Sequence, residues 1–329
     1  MKIDSETKNQ HYVSQVEQRL NSLNPSAPKK KQKIYSFNVL DREEYSVSLL
    51  NDKGSLIENN LSLSDLFSFD VVDKKIRANF ESLFHDYEKS IEAHTHSILM
   101  KLQAGSYDIK NELLNLFVSK FLNFFRNPYC IEKVISTVGV LAEHYPLDPN
   151  LASICARIEN GRKPHQKYLC SQLGITNDTY KKWLKILFIL LMRPKPKEPN
   201  MLEQLVKSLY ENKSHLVNAF IFSYSGEHLD KRPVLSDRGF SLPTQEEGCL
   251  AYSFNLSSNA FIYYTFTNVD TQNFVSASER IIDLFKKQPK NVSVKYVENE
   301  LNALASYNKN TIYQAKEKVY CSSQYIYGL

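Results

Sequence analysis

A change of hydrophobic period along the chain most restricts what it can fold into. From about Asp73 to Leu102, apolar residues recur at intervals near three and four: Phe80, Leu83, Phe84, Tyr87, Ile91, Ile98 and Leu102. This spacing predicts a long amphipathic helix. The stretches 107–128, 130–145, 151–161 and 201–215 continue the helical pattern, and two more helices are expected between Pro164 and Met192. The segment RPKPKEP (193–199) reads as an extended connector. Beyond it the period falls to two. Residues 216–225 and 249–267 read as strands, with Leu250, Tyr252, Phe254 and Leu256 on one face and a hairpin turn at Ser257-Ser258-Asn259. A helix at 276–287 and a helical tail from Val294 to about Cys321 follow. Near the N-terminus, 33–41 and 44–50 read as a strand pair.

The expected fold class is therefore α+β: a mostly helical middle region with a small mixed or antiparallel sheet built from N-terminal and C-terminal strands. The stretches 1–72, 73–215 and 216–329 are expected to form one composite domain. Only 9 glycines occur in 329 residues, which agrees with long helices and few tight turns.

Composition removes several function classes. Hydrophobic residues make up 42% and charged residues 23%, which places the chain among globular proteins. The net charge of +5 permits a polyanionic partner without demanding one. Cys130, Cys155, Cys170, Cys249 and Cys321 form no CxxC pair, so no disulfide partner and no zinc ribbon is expected, and a reducing cytoplasm fits. The greasiest run, ILFILLM (186–192), is far short of the ~20 residues a membrane-spanning helix needs. The opening MKIDSETKNQ lacks an apolar leader segment. GxxxxGK[ST], GxSxG and HExxH are absent from the sequence.

Four groups of residues can carry chemistry. His11, Tyr12, Gln15 and Arg19 offer an imidazole, a phenol and a guanidinium, suited to acid–base work and to gripping a phosphate; a docking strand and helix would explain the same residues. In Ser236-Asp237-Arg238-Gly239, Asp237 can serve as base or cation ligand and Arg238 can bind phosphate, or the aspartate can cap a turn. Glu81, His85, Glu88, Glu92 and His96 fall on one helical stripe, where Glu88 is the expected functional member and a solvated face is the alternative. Finally, 165–187 resembles a helix–turn–helix corner at Gly174, capped by Asn177 or Asp178, with Lys181, Lys182 and Lys185 available to phosphates. The run Lys29-Lys30-Lys31-Gln32-Lys33 is a further basic segment, for nucleic acid or for solubility.

The first two groups also carry a family resemblance. His11-Tyr12-Val13, Gln15 and Arg19 resemble the HYVPQFYLRxF opening of a bacterial family known as domain of unknown function 4238, with Ser14 in place of its proline. RPVLSDRG (232–239) is similar to that family's SD-x-P loop, matching at Ser236 and Asp237 and departing at Arg238-Gly239. FNLSS (254–258) is similar to its Pro-Leu-Ser step, and Asn308, Ala315 and Val319 match an N-x6-A-x3-V pattern. The resemblance implies a setting among mobile elements and anti-phage defence, and no chemistry of its own; the role expected in that setting is a toxic defence effector, with nucleic acid or a protein of the same operon as partner.

The combined expectation is a nuclease. His11, Asp237 and Arg19 would be catalytic, Tyr12, Gln15, Arg238, Lys181 and Lys182 would hold nucleic acid, and Asp237 with Glu88 would hold Mg or Mn. The alternative is a non-catalytic nucleic-acid- or protein-binding module using the 165–187 corner and the lysine runs.

Overall fold

The computed structural model describes residues 3–73, 76–193, 195, 198–243, 246–271 and 278–329. Pro194, Pro196 and Lys197 of the expected connector, and Ser276 and Ala277 at the expected start of the late helix, lie outside them.

The N-terminal stretch forms β1 (Asp4–Ser5), β2 (Asn9–His11), α1 (Gln15–Arg19), β3 (Lys33–Asp41), β4 (Ser46–Leu49), β5 (Ser55–Leu56), β6 (Ser62–Ser64), β7 (Asp70–Val71) and β8 (Arg77–Ala78). The middle is helical: α2 (Glu81–Gln103), α3 (Lys110–Arg126), α4 (Ile131–Val138), α5 (Pro149–Asn160), α6 (Gln166–Leu173), α7 (Asn177–Leu191) and α8 (Met201–Glu211). The remainder forms β9 (His215–Ser223), β10 (Leu235–Ser236), β11 (Cys249–Ser257), β12 (Ala260–Asn268), α9 (Glu279–Lys287), β13 (Val292–Glu298), α10 (Leu301–Gln314) and β14 (Lys318–Cys321). This is the α+β fold that the period change predicts.

Strands from both ends share one sheet, ordered β10-β14-β3-β4 with β5 on β3, while β11-β12-β9-β13 form a second sheet from the C-terminal stretch. β11 and β12 turn at Ser258-Asn259, where the sequence places the hairpin.

Two boundaries differ from expectation. The long helix begins at Glu81 and not at Asp73, because Asp70 and Val71 pair with Ala78 and Arg77 as a small hairpin. Asn79 Oδ1 then accepts the Glu81 N–H at 3.1 Å and starts the helix. The tail is not one helix. Residues 292–298 pair in parallel with 217–223 as β13 before α10 begins, so the alternation of Val292, Val294 and Tyr296 decided their state.

The corner at 165–187 exists locally but faces inward. Gly174 takes a left-handed conformation (φ 69°) at the end of α6, and Thr176, rather than Asn177 or Asp178, caps α7. From Trp183 to Leu191 every side chain of α7 is buried, and Trp183 Nε1 donates to the Phe125 carbonyl at 2.7 Å. That half of α7 belongs to the core, and only its first turns, with Asn177, Asp178 and Lys182, reach the surface. Lys185 is buried against Glu159 at 2.9 Å and sits over the Tyr145 ring. Lys182 stays at the surface, 3.4 Å from Asp178, and Lys181 is half-buried. Of the lysines expected to meet phosphates, the corner thus leaves Lys182 at the surface and encloses Lys185.

In the Ser236–Gly239 loop the aspartate caps backbone, as its turn reading expects. The Asp237 carboxylate accepts the main-chain N–H groups of Lys316, Glu317 and Lys318 at 2.8, 2.6 and 2.9 Å, clamping the start of β14 beside β10. Burial pushes its carboxyl upward, and those amides favour the charged form against it. Gly239 (φ +76°) lies so close to α3 that a Cβ there would stand 2.8 Å from Asn123 Nδ2. Asn308, from the other matched motif, is fully buried and accepts the Val234 N–H at 3.0 Å, tying down the same loop.

Asp237→Ala removes the buried acceptor shared by three main-chain N–H groups, so it should cost about 2–4 kcal/mol. Urea denaturation checks this; an unchanged midpoint would contradict the clamp.

Candidate functional site

Adjacent residues of a strand point to opposite faces, and this separates the His-Tyr pair. His11, the last residue of β2, faces α2. Tyr12 faces away, into a polar cavity of about 380 Å³ shared with Tyr129, Tyr320 and Asp237. Tyr12 meets Tyr129 edge-on with ring centroids 5.7 Å apart, and burial pushes its phenol far above the ordinary range. The expected constellation thus divides: Asp237 shares a cavity with Tyr12, and His11 belongs to another. Arg238 follows Asp237 and is half-buried.

The His11 cleft, about 400 Å³, is walled on one side by His11, Gln15, Val16 and Arg19 and on the other by Glu81, His85, Glu88 and Glu92, with Lys29 at its rim. Local sequence explains both walls. Ser14 caps α1 by accepting the Glu17 N–H at 3.1 Å, so the helix begins immediately after the strand. Gln15 and Arg19, four apart, then share a face, and Arg19 donates to Gln15 Oε1. On α2, the intervals of four, three and four line up Glu81, His85, Glu88 and Glu92. The stripe is the wall of a cleft and not merely a solvated face; His96, one turn further, lines the adjoining cavity.

Behind the cleft lies a buried polar row that sequence reading missed. Glu17 and Lys120 are completely enclosed and joined at 2.7 Å, with side-chain exposures of 0% and 1%, so neither charge can turn to water. Asn123 Nδ2 donates to both Glu17 carboxylate oxygens at 3.1 and 3.0 Å. Lys120 also donates to the Asn255 carbonyl at 2.7 Å. Arg126 bonds Asn123 Oδ1 and, through Nη1, Glu88 Oε1 at 2.6 Å. Lys120, Asn123 and Arg126 recur every three residues inside the apolar run of α3. Polar side chains on that spacing within a Phe/Leu-rich helix were the available signal.

This row sets the electrostatics of the cleft. Burial alone would push the Glu17 carboxyl up, but the Lys120 ammonium and the Asn123 amide hold it below the usual carboxylate range. Burial, reinforced by the Arg126 charge, lowers His11 to about 4, so its imidazole is neutral near pH 7. The main-chain carbonyls of Glu58 and Ile57 pull weakly the other way, and the Gln15 amide lies 3.3 Å from Nε2. Burial and repulsion from Glu88 raise Glu81 to about 8. Its Oε1 is enclosed with no hydrogen-bond partner among the described residues. The cleft therefore pairs a neutral imidazole with a carboxyl that keeps its proton, the divergence expected of acid and base partners.

Glu88 is engaged with Arg126, and Asp237 lies in the other cavity with its oxygens on the backbone, so the two do not share a cation. Among the described residues no group of three or more His, Cys, Asp or Glu side chains is placed to hold a metal. The five cysteines are free, and no helix is long and apolar enough to cross a membrane among the described residues.

No family model, curated protein or solved structure matches this chain. The motif resemblance accordingly rests on its own residues.

Lys120→Met leaves Glu17 buried without its cation and should cost about 3–5 kcal/mol, whereas Glu17→Gln/Lys120→Met should recover much of that loss. Chemical denaturation of the two variants checks this; a double mutant no better than the single would contradict it. Glu81 gives a pH signature. Its folded pKa of about 8 lies above the ordinary 4.5, so the folded state holds the extra proton and stability is lost as pH rises from 4.5 through 8. His11 acts oppositely: its lowered pKa makes stability rise between about 4 and 6.5, offsetting the Glu81 loss over part of that interval. Glu81→Gln should therefore raise Tm at pH 8.5 by several degrees and leave it nearly unchanged at pH 4, as read by calorimetry.

Proposed function

We propose that the chain binds and cleaves the phosphodiester backbone of a nucleic acid in the His11 cleft, as an effector of bacterial anti-phage defence. One observation carries the chemical half of this reading: His11, a protonated Glu81, Arg19 and Lys29 meet in one cleft although they come from separate stretches of sequence. The defence setting is drawn from the motif resemblance alone.

The reaction assigned to the cleft is hydrolysis. Water adds to phosphorus as its proton passes to the His11 imidazole, and the bond from phosphorus to the leaving oxygen breaks as that oxygen takes the Glu81 proton. Arg19, aided by Lys29, holds the non-bridging oxygens, a task suited to a planar guanidinium. The burial that keeps His11 neutral also makes it a weak base. A bound phosphate anion beside it raises its pKa toward the working range. Gln15 orients both partners, touching the His11 ring and accepting from Arg19.

Purified protein incubated with single- and double-stranded DNA and RNA, with Mg²⁺, Mn²⁺ or chelator, should cleave at least one substrate. His11→Ala and Glu81→Gln should each lower the rate by roughly 10²–10⁴-fold while keeping the fold. Asp237→Asn should lose stability but retain the rate per folded molecule. Absence of cleavage on all four substrates, or cleavage indifferent to His11 and Glu81, would end this reading.

A further inference from the structure

The His11 cleft does not stop at Arg19. A second cavity of about 390 Å³ adjoins it and shares Val16, Arg19, Lys29 and Glu92 with it. Arg19 and Lys29 therefore stand at a divide between two chambers. The far chamber has an apolar floor, from Leu20, Leu99 and Pro25, and polar walls, from His96 and the β11–β12 hairpin tip, Ser257–Asn259.

That tip is held rigidly. The Ser258 N–H donates to the Leu20 carbonyl at 2.8 Å, and Arg232 Nη1 donates to the Ser258 carbonyl and hydroxyl at 3.3 Å each. Asn259 donates to the Tyr224 carbonyl at 3.1 Å. Across the mouth, Lys29–Lys31 form a single exposed turn, so the lysine run that follows the His-Tyr motif in sequence sits beside the groove that the motif builds.

We propose that the two chambers form one groove for a single-stranded oligonucleotide, with a backbone phosphate at Arg19 and Lys29 and the neighbouring nucleotide lying in the far chamber. This deepens the preceding proposal and rests on it. Two cavities joined at a divide where Arg19 and Lys29 outnumber the single carboxylate of Glu92 suit an extended polyanion better than an isolated phosphate. Apolar floor with polar walls suits a sugar and base between phosphates, and the exposed lysines supply the salt-dependent attraction.

The test is binding, read by fluorescence anisotropy with 5′-labelled octathymidylate and octauridylate, the matching dinucleotides and an eight-base-pair duplex. The His11→Ala protein is used so that turnover does not intervene. At least one octamer should bind about tenfold or more tighter than its dinucleotide and than the duplex, and the advantage should shrink as salt rises. His96→Glu, at an exposed position, puts a carboxylate in the far chamber and should weaken octamer binding about tenfold. Length-independent binding, a preference for duplex, or an octamer affinity indifferent to His96→Glu would overturn the groove. Because binding is read apart from cleavage, turnover restricted to short substrates would refute the groove alone. Length-dependent binding without any turnover would refute the cleavage reading alone.

Discussion

The structure around the cleft depends on burying one charge against another. Glu17 and Lys120 have no access to water, so each is tolerable only while the other is present and the remaining lone pairs and protons are met. Ser14, Asn123 and the Asn255 carbonyl meet them. Satisfying this pair forces α1 down onto α3. Once α1 is there, Gln15 and Arg19 on its other side have no choice but to face α2. The site is thus a by-product of a core constraint.

The same desolvation acts on the cleft with opposite results for its two main titrating groups. It disfavours charge on whichever group it encloses, so the imidazole loses its proton and the carboxyl keeps one. Arg126 links the two effects, standing between Glu88 and Asn123 and adding its positive charge against protonation of His11. The acid–base polarity of the cleft needs no metal to explain it.

Much of this was readable in the sequence where a single element decides the outcome. The helix and strand periods gave the α+β layout, and the four–three–four spacing on α2 put Glu81, His85, Glu88 and Glu92 on one stripe, though not that the stripe faces a cleft. The N-terminal motif pointed to His11, Gln15 and Arg19. What failed was anything set by long-range approach. Asp237 was legible as a reactive carboxylate, yet the N–H donors it accepts from lie some eighty residues on, at the start of β14. The basic corner at 165–187 was legible as two helices meeting at Gly174, but only packing reveals that α7 is enclosed from Trp183 to Leu191. Glu17 and Lys120 were invisible as a pair because 103 residues separate them. Tyr12 was grouped with His11 by adjacency, although strand geometry sends neighbours to opposite faces.

The position of β14 bears on how such a chain comes together. It lies between β10 and β3, antiparallel to both, and its register with β3 runs from Lys318↔Asn38 to Cys321↔Tyr35. During synthesis, β3 emerges from the ribosome almost three hundred residues before its partner. For most of translation its hydrogen-bonding edge must wait unpaired. The sheet can close only after nearly the whole chain is free, and a chaperone that shields strand edges would have its longest task at the beginning of this polypeptide.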